Sequence, residues 1–131
     1  MSLRPKKRRY KANHVGAPKI FQLELCCQQL NRAFDGHCYL VGSSNERADW
    51  RDIDIRLMLD DDAFDRLFPN ARGKDSLHEH DLRWLIMTTS ISEWLSRVTG
   101  LPVDFQFQRQ TQANKQHPGM RQAIGMVFSR E

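Results

Sequence analysis

Apolar and polar residues alternate along the segment DIDIRLML, residues 52–59. A half-buried strand points successive side chains to opposite faces of its sheet. One face would therefore face a core and carry Ile53, Ile55, Leu57 and Leu59. The other face would carry Asp52, Asp54, Arg56 and Met58. The two carboxylates are then about 6–7 Å apart along the backbone, which lets their side chains converge on a shared cation.

An apolar stripe at helical spacing predicts a first helix over residues 17–36. Pro18 suits its first turn, and Gly36 suits its end. The stripe consists of Ile20, Leu23, Cys27, Leu30 and Phe34.

A second long helix is predicted to end at Gly100, followed by Pro102. Ser76 and Glu79 have the spacing of a capping box at its start. Its apolar side would carry Trp84, Met87, Ile91, Trp94 and Val98. Shorter helices are predicted after the caps offered by residues 60–62 and over residues 109–116.

Two further strands are predicted at HCYLV, residues 37–41, and LPVDFQFQ, residues 101–108. The order helix, strand, strand, helix, helix, strand predicts an α/β (α+β) fold, with a small mixed sheet and flanking helices. It is not a regular βαβ series, because the first two strands have no full crossover helix between them.

The chain has 131 residues, 40% of them hydrophobic, which suits one domain with one core. No apolar run approaches the ~20 residues that span a bilayer, so no membrane partner is expected. The three cysteines have no metal or disulfide spacing. Reduced thiols in a cytoplasmic protein are the simplest interpretation.

The net charge of +4 is unevenly distributed. Six of the 20 basic residues lie in the first eleven residues, which leaves 14 basic and 16 acidic residues beyond them. Residues 1–16 are therefore predicted to be a basic flexible arm, and residues 17–131 the domain. The arm is either a solvated tail or a phosphate-binding segment for nucleic acid.

Three aspartates offer the oxygen ligands that Mg²⁺ prefers. Two such ions about 4 Å apart can hold the attacking and leaving oxygens of a phosphoryl displacement. Asp52 and Asp54 supply two carboxylates, and Asp104 alternates out of its aromatic strand in the same way. The turn Gly42–Ser44 follows the first strand directly. Its backbone amides and the Ser43 hydroxyl suit a phosphate chain.

These motifs resemble the nucleotidyltransferase superfamily, which has the DNA polymerase β-like fold. Its pattern is a hydrophobic residue, a Gly, and a Gly or Ser, then a strand with two acidic residues one apart, and a third acidic residue on a later strand. The segments VGS, DIDI and VDF, at residues 41–43, 52–55 and 103–105, match these parts in order. The resemblance extends from Pro18 to Gln108.

The resemblance implies a two-metal enzyme that uses Mg²⁺ or Mn²⁺. An acceptor hydroxyl would attack the α-phosphorus of a nucleoside triphosphate and release pyrophosphate. The implied catalytic and metal-binding residues are Asp52, Asp54 and Asp104. The implied nucleotide-binding residues are Gly42, Ser43, Ser44 and Arg47. The acceptor stays open among RNA, protein and small molecules, and a homodimer or a partner chain would supply selectivity.

Two other interpretations remain open. The chain could be a catalytically silent module of the same fold that binds nucleic acid or a partner protein. It could also be a metal-dependent phosphodiesterase that uses the same carboxylates. Trp50 either stacks on a base or packs internally, and Gln106, Gln108 and Arg109 either contact substrate or are hydrated.

Overall fold

The computed structural model describes residues 18–42, 52–71, 81–116 and 121–126. In these ranges, helices α1 to α4 span Lys19–Phe34, Asp61–Leu67, Leu82–Thr99 and Gln110–Gln116. Strands β1 to β4 span His37–Val41, Ile53–Leu59, Val103–Arg109 and Gln122–Ile124. A 3₁₀ turn at Pro69–Ala71 follows α2. The predicted mixture of a small sheet and flanking helices is confirmed.

The four described strands form one mixed sheet in the order β3-β2-β1-β4. Strand β2 is antiparallel to β1 and parallel to β3, while β4 is antiparallel to β1. The antiparallel pairing of β1 and β2 agrees with the predicted lack of a crossover helix between them. A parallel pair needs a longer connection, and α2 and α3 lie within the connection from β2 to β3.

The predicted alternation of β2 places its apolar side chains in the core. Ile53, Ile55 and Leu57 are fully buried, and Phe105 and Phe107 of β3 extend the same cluster. Helices α1 and α3 contribute Leu23, Cys27, Leu30, Trp84 and Leu95 to this cluster. The opposite face of the sheet is therefore left to the polar residues of β2 and β3.

Helix α1 ends at Phe34, two residues before the predicted glycine. Asp35 adopts the left-handed conformation that closes the helix, with φ of 54°. Gly36 is needed for space instead, because a Cβ there would overlap the side chains of Leu57 and Leu59.

Helix α3 differs from its prediction at its start and along its buried side. It begins at Leu82, where the Asp81 carboxylate accepts hydrogen bonds from the backbone N–H groups of Arg83 (2.8 Å) and Trp84 (3.1 Å). The predicted start at Ser76 is therefore wrong, and that residue lies outside the described ranges. Val98, assigned to the apolar side, is 47% exposed. Polar residues share the buried side instead, because their hydroxyls bind backbone groups: Ser92, Ser96 and Thr99.

Two of the predicted caps of α2 have different roles. Asp60 occupies the N-cap position but makes no side-chain capping bond to the described backbone of this helix. Asp61 instead accepts hydrogen bonds from the backbone N–H (3.2 Å) and the hydroxyl (2.9 Å) of Thr111, near the start of α4. The acidic run thus joins α2 to α4.

Strand β4 was not predicted, because the C-terminal segment has no clear period. Its position depends on Asn31 of α1, which is buried. The amide of Asn31 donates to the carbonyls of Ile124 (3.3 Å) and Gly125 (2.8 Å). Its oxygen accepts from the N–H of Cys38 at 2.8 Å. One polar side chain therefore connects α1 to both β1 and the end of β4.

No helix in the described part of the chain is long and apolar enough to cross a membrane.

Candidate functional site

The exposed face of the sheet brings Asp54 and Asp104 side by side. They are register partners on the parallel strands β2 and β3, and neighbouring strands lie about 4.8 Å apart. Partners in register point to the same face, so both carboxylates project from one side of the sheet. Each residue is half-buried, whereas Asp52 lies just before β2 and is exposed.

The electrostatics of Asp54 reflect this crowding. Burial raises the pKa of the Asp54 carboxyl group above its usual value, and the charges of Asp104 and Asp52 act in the same direction. The positive charge of Arg56 opposes them. The ionised form of Asp54 is thus disfavoured in the folded protein unless a cation compensates it.

Gly42 fits against Asp54 at the end of β1. Val41, its neighbour, pairs with Asp54 across the antiparallel strands. Gly42 has φ of 81°, a conformation that favours glycine, and a Cβ there would overlap Asp54 Oδ2. A residue without a side chain is therefore needed for the carboxylate to lie in this position.

Arg56 is the residue of the site to which the sequence assigned no role. Its Nη1 donates to the backbone carbonyls of Asp104 (2.9 Å) and Ile55 (3.1 Å). Its Nη2 lies 3.6 Å from Asp104 Oδ2. The alternation of β2 predicted that Arg56 lies on the same face as the aspartates, and this position could have indicated a role for Arg56 in the site.

On the same face, the row of side chains next to the aspartates contains Arg56 and two uncharged residues. Tyr39 and Gln106 are the register partners of Arg56 on either side. The guanidinium of Arg121 lies over the Tyr39 ring, 5.1 Å from its centroid. Farther along, Met58 is buried rather than open on this face, because Gln110 and Arg121 contact its sulfur at 3.9 and 3.6 Å. The open part of the face thus runs from the aspartates to Tyr39.

Two strand-end residues that were candidates for substrate contact have internal partners. The amide of Gln108 donates to the side chain of Gln116 at 2.8 Å. Arg109 forms an ion pair with Asp65 (2.9 Å) and donates to the carbonyl of Ala71 (3.0 Å). Both side chains therefore have partners within the protein at the C-terminal end of β3.

The predicted phosphate-binding residues lie mostly beyond the described ranges. Gly42 borders the aspartates, but Ser43, Ser44 and Arg47 fall between residues 42 and 52, as does Trp50.

The fit to a metal ion is incomplete. Across residues 18–42, 52–71, 81–116 and 121–126, no group of three His, Cys, Asp or Glu side chains is placed to hold an ion. Asp54 and Asp104 are neighbours, but Asp104 already has Arg56 as a counter-ion. As placed, the side chains offer two adjacent carboxylates and a third, exposed one at Asp52.

No protein-family model, no curated protein and no solved structure matches this chain. A functional assignment therefore depends on the residues of the site and their geometry.

Proposed function

We propose that this domain is a metal-dependent nucleotidyltransferase that moves a nucleoside monophosphate from a nucleoside triphosphate to an acceptor hydroxyl. The observation that carries the proposal is the in-register pair of Asp54 and Asp104 on the exposed face of the sheet, next to Gly42. The resemblance to the nucleotidyltransferase superfamily supplies the reaction.

In this proposal the three aspartates have a shared task. Asp52, Asp54 and Asp104 would hold Mg²⁺ or Mn²⁺, and the bound ion would offset the negative charge that develops during phosphoryl transfer. The unfavourable ionisation of Asp54 supports a cation as ligand, since a cation would offset both its burial and the charge of Asp104. Gly42 and the residues that follow it in sequence would bind the phosphates.

The open row beside the aspartates supports an acceptor that lies along the sheet. Tyr39 and Gln106 flank Arg56 in this row. They offer the amide of Gln106 and the aromatic ring of Tyr39, over which the Arg121 guanidinium lies, for contact. The acceptor could be RNA, a protein or a small molecule, and a second copy or a partner chain would add selectivity.

One alternative has a specific observation in its favour. The ion pair between Arg56 and Asp104, 3.6 Å apart, would suit a catalytically silent module whose carboxylates no longer need a metal. Such a module would bind nucleic acid or a partner protein, with its basic N-terminal arm available for phosphate contacts.

The deciding experiment is an assay of label transfer from α-labelled nucleoside triphosphates to RNA and protein fractions of a cell extract, with Mg²⁺ or Mn²⁺. Asp54→Asn and Asp104→Asn each remove one negative charge at nearly constant shape. Both variants should lose transfer by orders of magnitude and remain folded. Ser43→Ala should mainly weaken nucleotide binding. Asp62→Asn, the same change at an exposed position of α2, is the matched control and should retain transfer.

The silent module predicts a different outcome. The wild-type protein would then label no fraction, and the aspartate variants would bind nucleic acid or partners as tightly as the wild type does. That result would remove the enzymatic proposal.

A further inference from the structure

We propose that Arg56 is a built-in counter-cation of the aspartate pair, and that a divalent ion must compete with it for the Asp104 carboxylate in order to bind. Because it concerns the same site, this inference rests on the proposed function. It assigns to Arg56 a positioning role that sets how tightly the site binds its metal.

The backbone, not the carboxylate, fixes the guanidinium in place. Nη1 makes two hydrogen bonds to main-chain carbonyls, those of Ile55 (3.1 Å) and Asp104 (2.9 Å). The separation of 3.6 Å between Nη2 and Asp104 Oδ2 is longer than a hydrogen bond. The contact with the carboxylate is thus the longest of the three, and it is the one that an ion bound to Asp104 would replace.

Arg56 and Asp104 also differ in how deeply they are buried. The side chain of Arg56 is 11% exposed, whereas that of Asp104 is 47% exposed. A guanidinium keeps its charge at all accessible pH values. The buried partner is therefore a positively charged guanidinium, and the more exposed partner is a carboxylate that a newly bound ion can reach.

The buried guanidinium is also incompletely satisfied. Its Nε is buried and has no hydrogen-bond partner among the residues that the structure describes. A buried charge is stabilised chiefly by opposite charges close to it. Within the described part of the sheet, the carboxylate of Asp104 lies near enough to do so, with Oδ2 3.6 Å from Nη2.

A divalent ion at these carboxylates would meet a like charge that cannot leave. Like charges a few ångströms apart repel strongly near a protein surface. Arg56 would therefore lower the affinity of the site for Mg²⁺ or Mn²⁺. It would also occupy the side of Asp104 that a second ion would need.

The test measures Mn²⁺ binding to the full-length protein without nucleotide, from the paramagnetic resonance signal of free Mn²⁺. Arg56→Gln and Arg56→Met remove the charge and should lower the Kd for Mn²⁺ by about tenfold or more. Arg56→Lys keeps the charge and should change the Kd by less than about threefold. The control Arg97→Gln should leave it unchanged. Tighter binding is the informative result, because general damage to the fold would weaken binding instead.

A second measurement uses the unaltered protein, in case the neutral variants do not fold. The Arg56 Nε–H resonance in a ¹⁵N spectrum should shift saturably as Mg²⁺ is added, while that of Arg97 stays in place. An Arg56 signal that ignores Mg²⁺, or neutral variants that bind Mn²⁺ no more tightly than wild type, would overturn the proposal. So would the absence of Mn²⁺ binding in every variant.

Failure of the enzymatic proposal has a different signature. If the variants follow the expected order of Mn²⁺ affinity but no fraction is ever labelled, Arg56 is the counter-cation of a metal site that does not transfer nucleotides.

Discussion

Asp54 is the residue whose ionisation opposes folding. Its pKa is raised in the folded protein, chiefly by burial. An acid with a raised pKa binds its proton more tightly when folded, so stability falls as pH rises from the ordinary value toward the raised one. Without metal, the ionised carboxylate therefore destabilises the protein at neutral pH.

Replacing Asp54 with Asn should thus raise the Tm of the metal-free protein at pH 7. The gain should shrink as the pH is lowered, because the raised pKa favours protonation of the wild-type carboxyl group. Thermal melts with a chelator present, from pH 4 to pH 8, measure this. Asp52→Asn is the control, since Asp52 is exposed, and its Tm should differ little from wild type. A variant at position 54 that melts at or below wild type at pH 7 would contradict the expectation.

Gly42 should tolerate no side chain as long as Asp54 is present. Gly42→Ala introduces a Cβ at φ of 81° and against Asp54 Oδ2, and we expect a loss of ~1 kcal/mol or more in the free energy of unfolding. In an Asp54→Ala background the overlap is gone, so the same change should cost less. Urea denaturation of the wild type, the two single variants and the double variant measures the coupling free energy between positions 42 and 54. Equal costs in both backgrounds would show that only the backbone conformation matters.

At the scale of the element, α3 covers the outer edge of β3 through polar side chains. The Ser92 hydroxyl accepts from the N–H of Phe105 at 2.9 Å, and the Ser96 hydroxyl accepts from that of Val103 at 3.0 Å. The indole N–H of Trp84 donates to the carbonyl of Phe107 at 3.1 Å. Ser92 and Ser96, four residues apart on the helix, therefore bind N–H groups two residues apart on the strand.

Removing both hydroxyls should destabilise the domain measurably. The double variant Ser92→Ala, Ser96→Ala leaves two strand N–H groups without partners, and we expect a loss of roughly 1–3 kcal/mol in the free energy of unfolding. Ser90→Ala on the exposed side of the same helix controls for the change in helix propensity. The measurement is equilibrium urea unfolding. A double variant as stable as this control would mean that water replaces the hydroxyls without loss.

The same helix shows how far the sequence predicts this fold. Apolar spacing predicted α3 and its end at Gly100, because both depend on local signals. The buried side was predicted wrongly at Val98, because hydroxyl-to-backbone bonds leave no trace in a hydrophobic pattern. On the sheet, strict alternation placed Asp54 and Asp104 on polar faces. The hydrogen bond from Arg56 to the Asp104 carbonyl depends on the β2–β3 register, which no single strand encodes.

At the scale of the whole molecule, Asn31 joins segments that are far apart in sequence. It bonds to the backbone at Cys38, Ile124 and Gly125. Gly125 itself lies so close to α1 that a Cβ there would overlap Cys27. This closure could not be predicted, because β4 has three residues and its partner is a polar side chain on a helix.

Asn31→Asp should be strongly destabilising. The substitution keeps the shape but replaces the amide donor with an oxygen that faces two carbonyls. We expect a loss of about 3 kcal/mol or more in the free energy of unfolding. Gln29→Glu, the same chemical change at an exposed position of α1, should cost little. Hydrogen exchange would localise the effect, and protection lost first at residues 122–124 would support the closing role. Wild-type stability of the Asn31→Asp variant would contradict it.

The cover that α3 places on β3 also limits how copies of this protein can assemble. An open strand edge invites a strand from another molecule to continue the sheet. Here the outward N–H groups of Val103 and Phe105 are already engaged by serines. The opposite edge is β4, where three residues offer only a short ladder. Within the described part of the sheet, extension into ordered dimers or aggregates is therefore disfavoured at the β3 edge and limited to three residues at the β4 edge. Among the described residues, the helices and the open face of the sheet are the remaining surfaces for a second copy or a partner.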